Sequence, residues 1–268
     1  MHSAAKTYRV AAAFIAACLV LVGCGEVLQQ PKLVKRGLSD VAESDVDLER
    51  AKSENHNRLV DPKFAGKLEI IDDSSGIAAA RTFFDDSESM VLFAPDDKSR
   101  LRAATLAINQ HLPAVEFEPS RRGKILNLIG DLEVKRLVIV GDIPWTQSSG
   151  EFTVIKDPGT HQALGDFTAF QYESKVVASP EQIVKDIARL DKTPYVELRP
   201  AWIAYEGEAD DQGKKVPSVP AQSRRDGQMA PNIVATAESP VANVITAAAY
   251  GGSVLVMPTA DPLEDKRG

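Results

Sequence analysis

Cysteine is almost missing from this chain. Only Cys18 and Cys24 occur among 268 residues, too few for the disulfide framework that staples small secreted domains. Stability must come from a packed core. Histidine is scarce as well, with four in all. His56, His111 and His161 stand far apart, and no His-x-His or His-x-x-x-His spacing occurs, so a zinc or other metal site is not expected. Positive charge is in deficit, 31 Lys and Arg against 38 Asp and Glu. That balance argues against general nucleic-acid binding, which needs a net or clustered positive field. Also lacking are a Gly-x-Ser-x-Gly elbow, a Walker loop and a Gly-x-Gly-x-x-Gly turn after any strand. These gaps exclude the usual serine-hydrolase, P-loop and dinucleotide-binding signatures, and no cofactor is expected.

What is present begins at the N-terminus. Residues 1–9 carry Lys6 and Arg9 and no acid, and residues 10–22 (VAAAFIAACLVLV) are unbroken apolar chain. A basic segment before 7–15 apolar residues has the form of a secretory signal peptide, and the run is too short to span a bilayer, which takes about 20 residues. Leu21-Val22-Gly23-Cys24 resembles the bacterial lipobox. The resemblance implies cleavage before Cys24, a thioether diacylglyceryl on its sulfur and palmitate-type acylation of the new amino group. Two or more acyl chains hold a protein to a membrane where one is marginal. The alternative is an ordinary signal peptide with an incidental cysteine, but no Ala-x-Ala site stands near the end of the apolar run. The expectation is a lipoprotein, residues 1–23 removed, on the extracytoplasmic face of the cell membrane.

Removing Lys6 and Arg9 with the leader leaves 29 basic against 38 acidic residues, a balance of −9. Small basic clusters survive in Arg121-Arg122-Gly123-Lys124, Lys135-Arg136 and Arg224-Arg225. They read either as solvated surface or as contacts to phosphate or carboxylate on a wall polymer. On the second reading Arg121, Arg122, Lys124, Lys135 and Arg136 are the candidate contacts, from charge alone.

Residues 24–66 are polar without a sustained apolar face and read as a stalk, with a short helix around 45–54. From residue 67 the texture changes. Residues 76–84 set Ile77, Ala80 and Phe84 on one helical face, with caps available in Asp72, Asp73, Ser74 and Ser75. Residues 90–94 (MVLFA) form a buried-strand run. A helix over 101–108, a strand over 114–117, a helix through Ile125, Leu128, Ile129 and Leu132, and a strand over 136–140 follow. Strands alternating with short amphipathic helices predict an α/β fold, Rossmann- or flavodoxin-like, with a mostly parallel sheet and helices on both faces. Strands are expected over 152–155, 175–178, 195–198 and 201–205, with a helix opened by Ser179-Pro180-Glu181-Gln182. Residues 206–231 have no apolar periodicity and read as a disordered loop. Residues 233–257 repeat the rhythm of strand, turn, Ala-rich helix and strand seen after residue 90, an internal echo. The α/β domain is thus placed at 67–262.

Taken together, the helix before VLFAPDD, the helix RAATLAINQ and the block ILNLIGDLEVKRLVIVGDIPW resemble the cell-wall-binding repeat 2 family of Gram-positive envelope proteins. The likeness is clearest over residues 70–145 and partial over 230–262. It implies a flavodoxin-like or Rossmann-like fold and non-covalent attachment to wall polymers.

A search for chemistry leaves one alternative. Asp96 and Asp97 follow a strand and precede a helix, and Asp142 follows the strand 136–140. All three belong at the carboxyl edge of the sheet, where doubly wound folds place ligands, as would Glu238. They either bind a small ligand, in a binding or hydrolytic domain, or they cap helices and make turns. Trp145 and Trp202 either stack on a sugar or pack as ordinary aromatics, and His161 reads as a loop residue. The leading expectation is a non-enzymatic, lipid-anchored envelope protein whose partner is wall polymer or another envelope protein.

Overall fold

The structure is a computed structural model that describes residues 61–145, 151–190, 195–204, 216–222 and 230–258. The expected leader, Cys24 and the helix expected around 45–54 lie outside the described residues. Among those described, no helix is long and apolar enough to cross a membrane.

The alternation read from the sequence is present. Helix α1 (Ile77–Phe83) leads into β1 (Ser89–Phe93), α2 (Asp97–Gln110), β2 (Ala114–Glu116), α3 (Arg122–Asp131) and β3 (Arg136–Val140). After it come β4 (Thr153–Lys156), α4 (His161–Thr168), β5 (Glu173–Val177), α5 (Ile183–Leu190), β6 (Val196–Pro200), β7 (Asn232–Thr236), α6 (Val241–Tyr250) and β8 (Ser253–Met257). The main sheet has the order β2-β1-β3-β4 and all its pairings are parallel. Strands are therefore added on one side of β1 and then on the other, so the strand order reverses at β1. The crossovers through α2 and α3 run in opposite senses, so right-handedness places them on opposite faces of the sheet. This is the expected Rossmann- or flavodoxin-like α/β arrangement, a parallel sheet flanked by helices.

The second half does not extend that sheet. It forms two further parallel pairs, β5-β6 and β7-β8. The echo read from the sequence is real at this level, since β1-α2-β2 and β7-α6-β8 are both parallel strand–helix–strand units.

Helix α2 lies at the centre. Leu101, Ala103, Ala104, Thr105, Leu106 and Ala107 are all fully buried, because the helix has the main sheet on one side and the later elements on the other. Leu198 N in β6 donates to Thr105 Oγ1, which itself donates to Leu101 O. Helix α6 covers the outer edge of β2, where Thr246 Oγ1 accepts from Ala114 N and donates to Ala114 O, each at 3.0 Å. An edge strand that would otherwise present free backbone groups is thereby closed.

Three expectations need correction. The packed domain starts before residue 67, since Tyr250 Oη donates to Asp61 Oδ2 at 2.8 Å and the Phe64 ring lies 5.6 Å from that of Phe83. The stalk assigned to 24–66 is therefore shorter at its distal end. Within the loop assigned as disordered, residues 216–222 are packed: Val219 is buried, its N–H donates to Phe167 O, and Gln222 N donates to Gln110 O. A strand was expected over 201–205, but 201–204 form a turn after Pro200 closes β6.

Candidate functional site

The sheet's carboxyl edge holds the three acids singled out from the sequence, and it uses two of them internally. Asp96 is the N-cap of α2, its Oδ1 accepting from Ser99 N at 2.9 Å. Its charge sits where the helix presents unpaired N–H groups, which satisfies them and suits the dipole. Asp97 pairs with Arg100 at 3.2 Å and accepts from Trp202 Nε1 at 3.2 Å. Arg100 also holds Glu116 at 2.9 Å, and these two carboxylates raise its pKa further above the ordinary arginine value, Glu116 contributing most. Asp142 stays exposed beside Gly141.

The loops after β1 and β3 meet tightly. Gly141 has φ +85°, and a Cβ placed on it would fall inside van der Waals contact with Ser99 Oγ and Ala94 Cβ. At the point where strand order reverses, where such folds usually open a ligand crevice, Gly141 packs directly against Ser99 and Ala94. Among the described residues no three His, Cys, Asp or Glu side chains stand together as a metal site.

The five basic candidates do not form one surface. Arg121 and Arg122 lie at the start of α3, by the carboxyl edge, and Lys135 and Arg136 at the start of β3, on the opposite edge. The ten residues of α3 separate them by about 15 Å at ~1.5 Å per residue. Arg121 is held by Asp73 at 2.6 Å and Glu118 at 2.7 Å. Arg122 stacks 4.3 Å above the Trp145 ring, and Trp145 is buried edge-on against Phe117. Arg136 pairs with Glu88 at 3.1 Å, while Lys124 and Lys135 are exposed. Asp73 does double duty: burial pushes its carboxyl up, but bonds from Ala78 N, Ser75 and Arg121 outweigh that and hold it below its usual range.

A concentrated group of charges among the described residues was not singled out from the sequence. Arg102, in the middle of α2, is 6 % exposed. It donates to both oxygens of Asp157 (2.8 and 3.0 Å), to Glu197 Oε1 (2.7 Å) and to Thr160 O (2.8 Å). Those partners come from the end of β4, from β6 and from the cap of α4. The other oxygen of Glu197 accepts from His161 Nδ1 at 2.8 Å and Arg199 Nη2 at 2.6 Å. Burial pushes the Glu197 carboxyl up, yet the His161 bond and the charges of Arg102 and Arg199 leave it lower than an ordinary glutamate. Nearby, burial pushes the Tyr172 phenol up to about 12.

His161 is thus the first residue of α4, capped by Thr160 Oγ1 accepting from Ala163 N, which corrects its placement in a loop. A carboxylate-oriented imidazole is half of a catalytic pair. Its recorded side-chain partners among the described residues are Glu197 and Arg199, and neither is a nucleophile. The cluster joins α2, β4, α4 and β6 and reads as an interior clamp.

No family model matches the chain, and no curated protein or solved structure matches it either.

Proposed function

We propose that the protein is a lipid-anchored, extracytoplasmic envelope protein that acts by association, with wall polymer or an envelope protein as its partner. The observation that carries the reading is the commitment of charge at the carboxyl edge of the sheet. Asp96 caps a helix, Asp97 is tied to Arg100 and Trp202, and Gly141 packs against Ser99 and Ala94. A hydrolase or small-ligand site at Asp96, Asp97 and Asp142 would have to break a cap and an ion pair before it could act. The anchor is supported by the signal-peptide pattern and by Leu21-Val22-Gly23-Cys24. The polymer partner is supported by the resemblance to cell-wall-binding repeats. The wide separation of Arg121 and Arg122 from Lys135 and Arg136 argues against a single cationic groove for an anionic polymer.

Sedimentation with purified cell-wall sacculi tests the choice. Mature protein carrying Cys24→Ser is mixed with untreated sacculi and with sacculi stripped of secondary polymers. Retention that disappears on stripping identifies the polymer as partner. Retention on neither removes wall attachment from the proposal and leaves the lipid as the only anchor.

A further inference from the structure

The four most exposed large apolar side chains among the described residues are Leu68 (93 %), Ile70 (84 %), Val234 (65 %) and Leu255 (64 %). Distant in sequence, they stand together on one face. Leu68, Ile70 and Val234 line the same cavity, about 750 Å³, between residues 66–71, β7 and α6. Val234 is the register partner of Leu255 in the β7-β8 pair. Local bonding turns all four outward. Gly66, at φ +68°, and the bond from Lys67 N to Phe64 O close a turn. Beyond it Glu69 Oε1 accepts from Thr82 Oγ1 of α1 at 3.4 Å and Ile71 packs on the core, so Leu68 and Ile70 face solvent. In β7 and β8 the alternation of the pleat sends Ile233, Ala235, Val254 and Val256 inward and Val234 and Leu255 outward.

A contiguous apolar patch of this kind marks a contact surface, and parallel strands are normally covered on both faces. What covers it is indicated by where the chain leads. Asp61, held by Tyr250 Oη, stands five residues before Gly66, and Phe64 and Gly66 line the same cavity as the patch. The patch therefore lies on the face at which the chain arrives from Cys24. The 36 residues between Cys24 and Asp61 reach at most about 130 Å at ~3.5 Å per residue. With a lipid on Cys24 held in the bilayer, a second contact by the same chain becomes intramolecular and needs little affinity of its own. Lys67 lines the cavity too, and a lysine can lay its stem on an apolar layer while its ammonium reaches the headgroups.

We propose that Leu68, Ile70, Val234 and Leu255 form a membrane-docking face, which enters the headgroup–acyl boundary of the phospholipid bilayer and lays the domain against the membrane that anchors it. The proposal rests on the reading of Cys24 as a lipid anchor. Apolar groups at that boundary bind in proportion to the area they bury, so the four side chains act together.

Tryptophan quenching on tethered protein tests this directly. The chain beginning at Cys24 is coupled through that thiol, its only cysteine, to a maleimide lipid in phosphatidylcholine vesicles. The tether is then supplied chemically, so a result against docking is separate from a result against lipidation in cells. Ile70→Trp reports on the patch, and Val176→Trp on an exposed position of β5 outside it. The signal of Trp145 and Trp202 is subtracted with the unsubstituted chain. Every substituted side chain is exposed, so circular dichroism is expected to stay at wild-type values. Lipid brominated along its acyl chains should quench the Ile70→Trp variant severalfold more than the Val176→Trp variant. Adding Leu68→Asp and Leu255→Asp to Ile70→Trp should abolish that difference. Equal quenching of the two single variants overturns the proposal, and so does a difference that the added substitutions leave intact. An Ile70→Trp emission that is already blue-shifted without vesicles, and unchanged by them, likewise overturns it and assigns the face to a protein partner or a second copy.

Discussion

A guanidinium in the middle of a buried helix has to be answered by carboxylates, and Arg102 is answered twice, by Asp157 and Glu197. Arg102→Met leaves both acids buried without their main partner, and breaking such a pair costs about 3–5 kcal/mol. Urea unfolding should show that loss as a lowered midpoint, and a variant within error of wild type would contradict the clamp. Glu197 adds a pH dependence with a defined sign. Its folded pKa is depressed, so its contribution is present above the ordinary glutamate value of about 4.3 and is lost as pH falls through the depressed one. Stability should therefore fall as the pH is lowered from about 4.3 through the depressed value, and Glu197→Gln should be less stable at neutral pH with a shallower acid limb. None of this was legible in the sequence. Arg100 and Arg102 look alike in RLRAATLAINQ, and nothing local separates the half-buried residue from the buried one. The partners of Arg102 lie 55 and 95 residues further along the chain.

The elements through β3 were legible because their apolar spacing is regular and, for α2, because Asp96 supplies a cap. The Asp96 cap gives this scale its test. Asp96→Ala should cost about 1 kcal/mol of stability, and Asp96→Ser or Asp96→Asn little, as expected for a helix cap and not for a metal or sugar ligand. Thermal melts of the three variants decide between those roles. Gly141→Ala should destabilise by roughly 1–3 kcal/mol, because it strains a positive φ and drives a methyl into Ser99 and Ala94. Tolerance of that change would mean that the loops after β1 and β3 open. Helix α4 was missed because Asp157-Pro158-Gly159 reads as a turn and the helix has only eight residues before Ala169 ends it in the left-handed region. The β5-β6 and β7-β8 pairs were legible as strands but not as separate sheets. Their placement depends on packing against α2, α5 and α6, which a local pattern does not encode.

At the scale of the whole molecule, a parallel α/β domain with its charged edge internally committed is joined to an N-terminal segment that has the features of a lipoprotein leader. A leader-like pattern and a lipobox resemblance can be read from the sequence because targeting signals are linear; a partner cannot, because recognition surfaces are assembled from distant residues. The account stands or falls on the anchor. Its most direct test is the intact mass of the protein recovered from the membranes of an expressing bacterium, beside Cys24→Ser. The account predicts a chain that begins at Cys24 and carries a diacylglyceryl group with added acyl mass, and a Cys24→Ser variant that keeps its leader. A mature chain that begins elsewhere, or an unmodified Cys24, would contradict it.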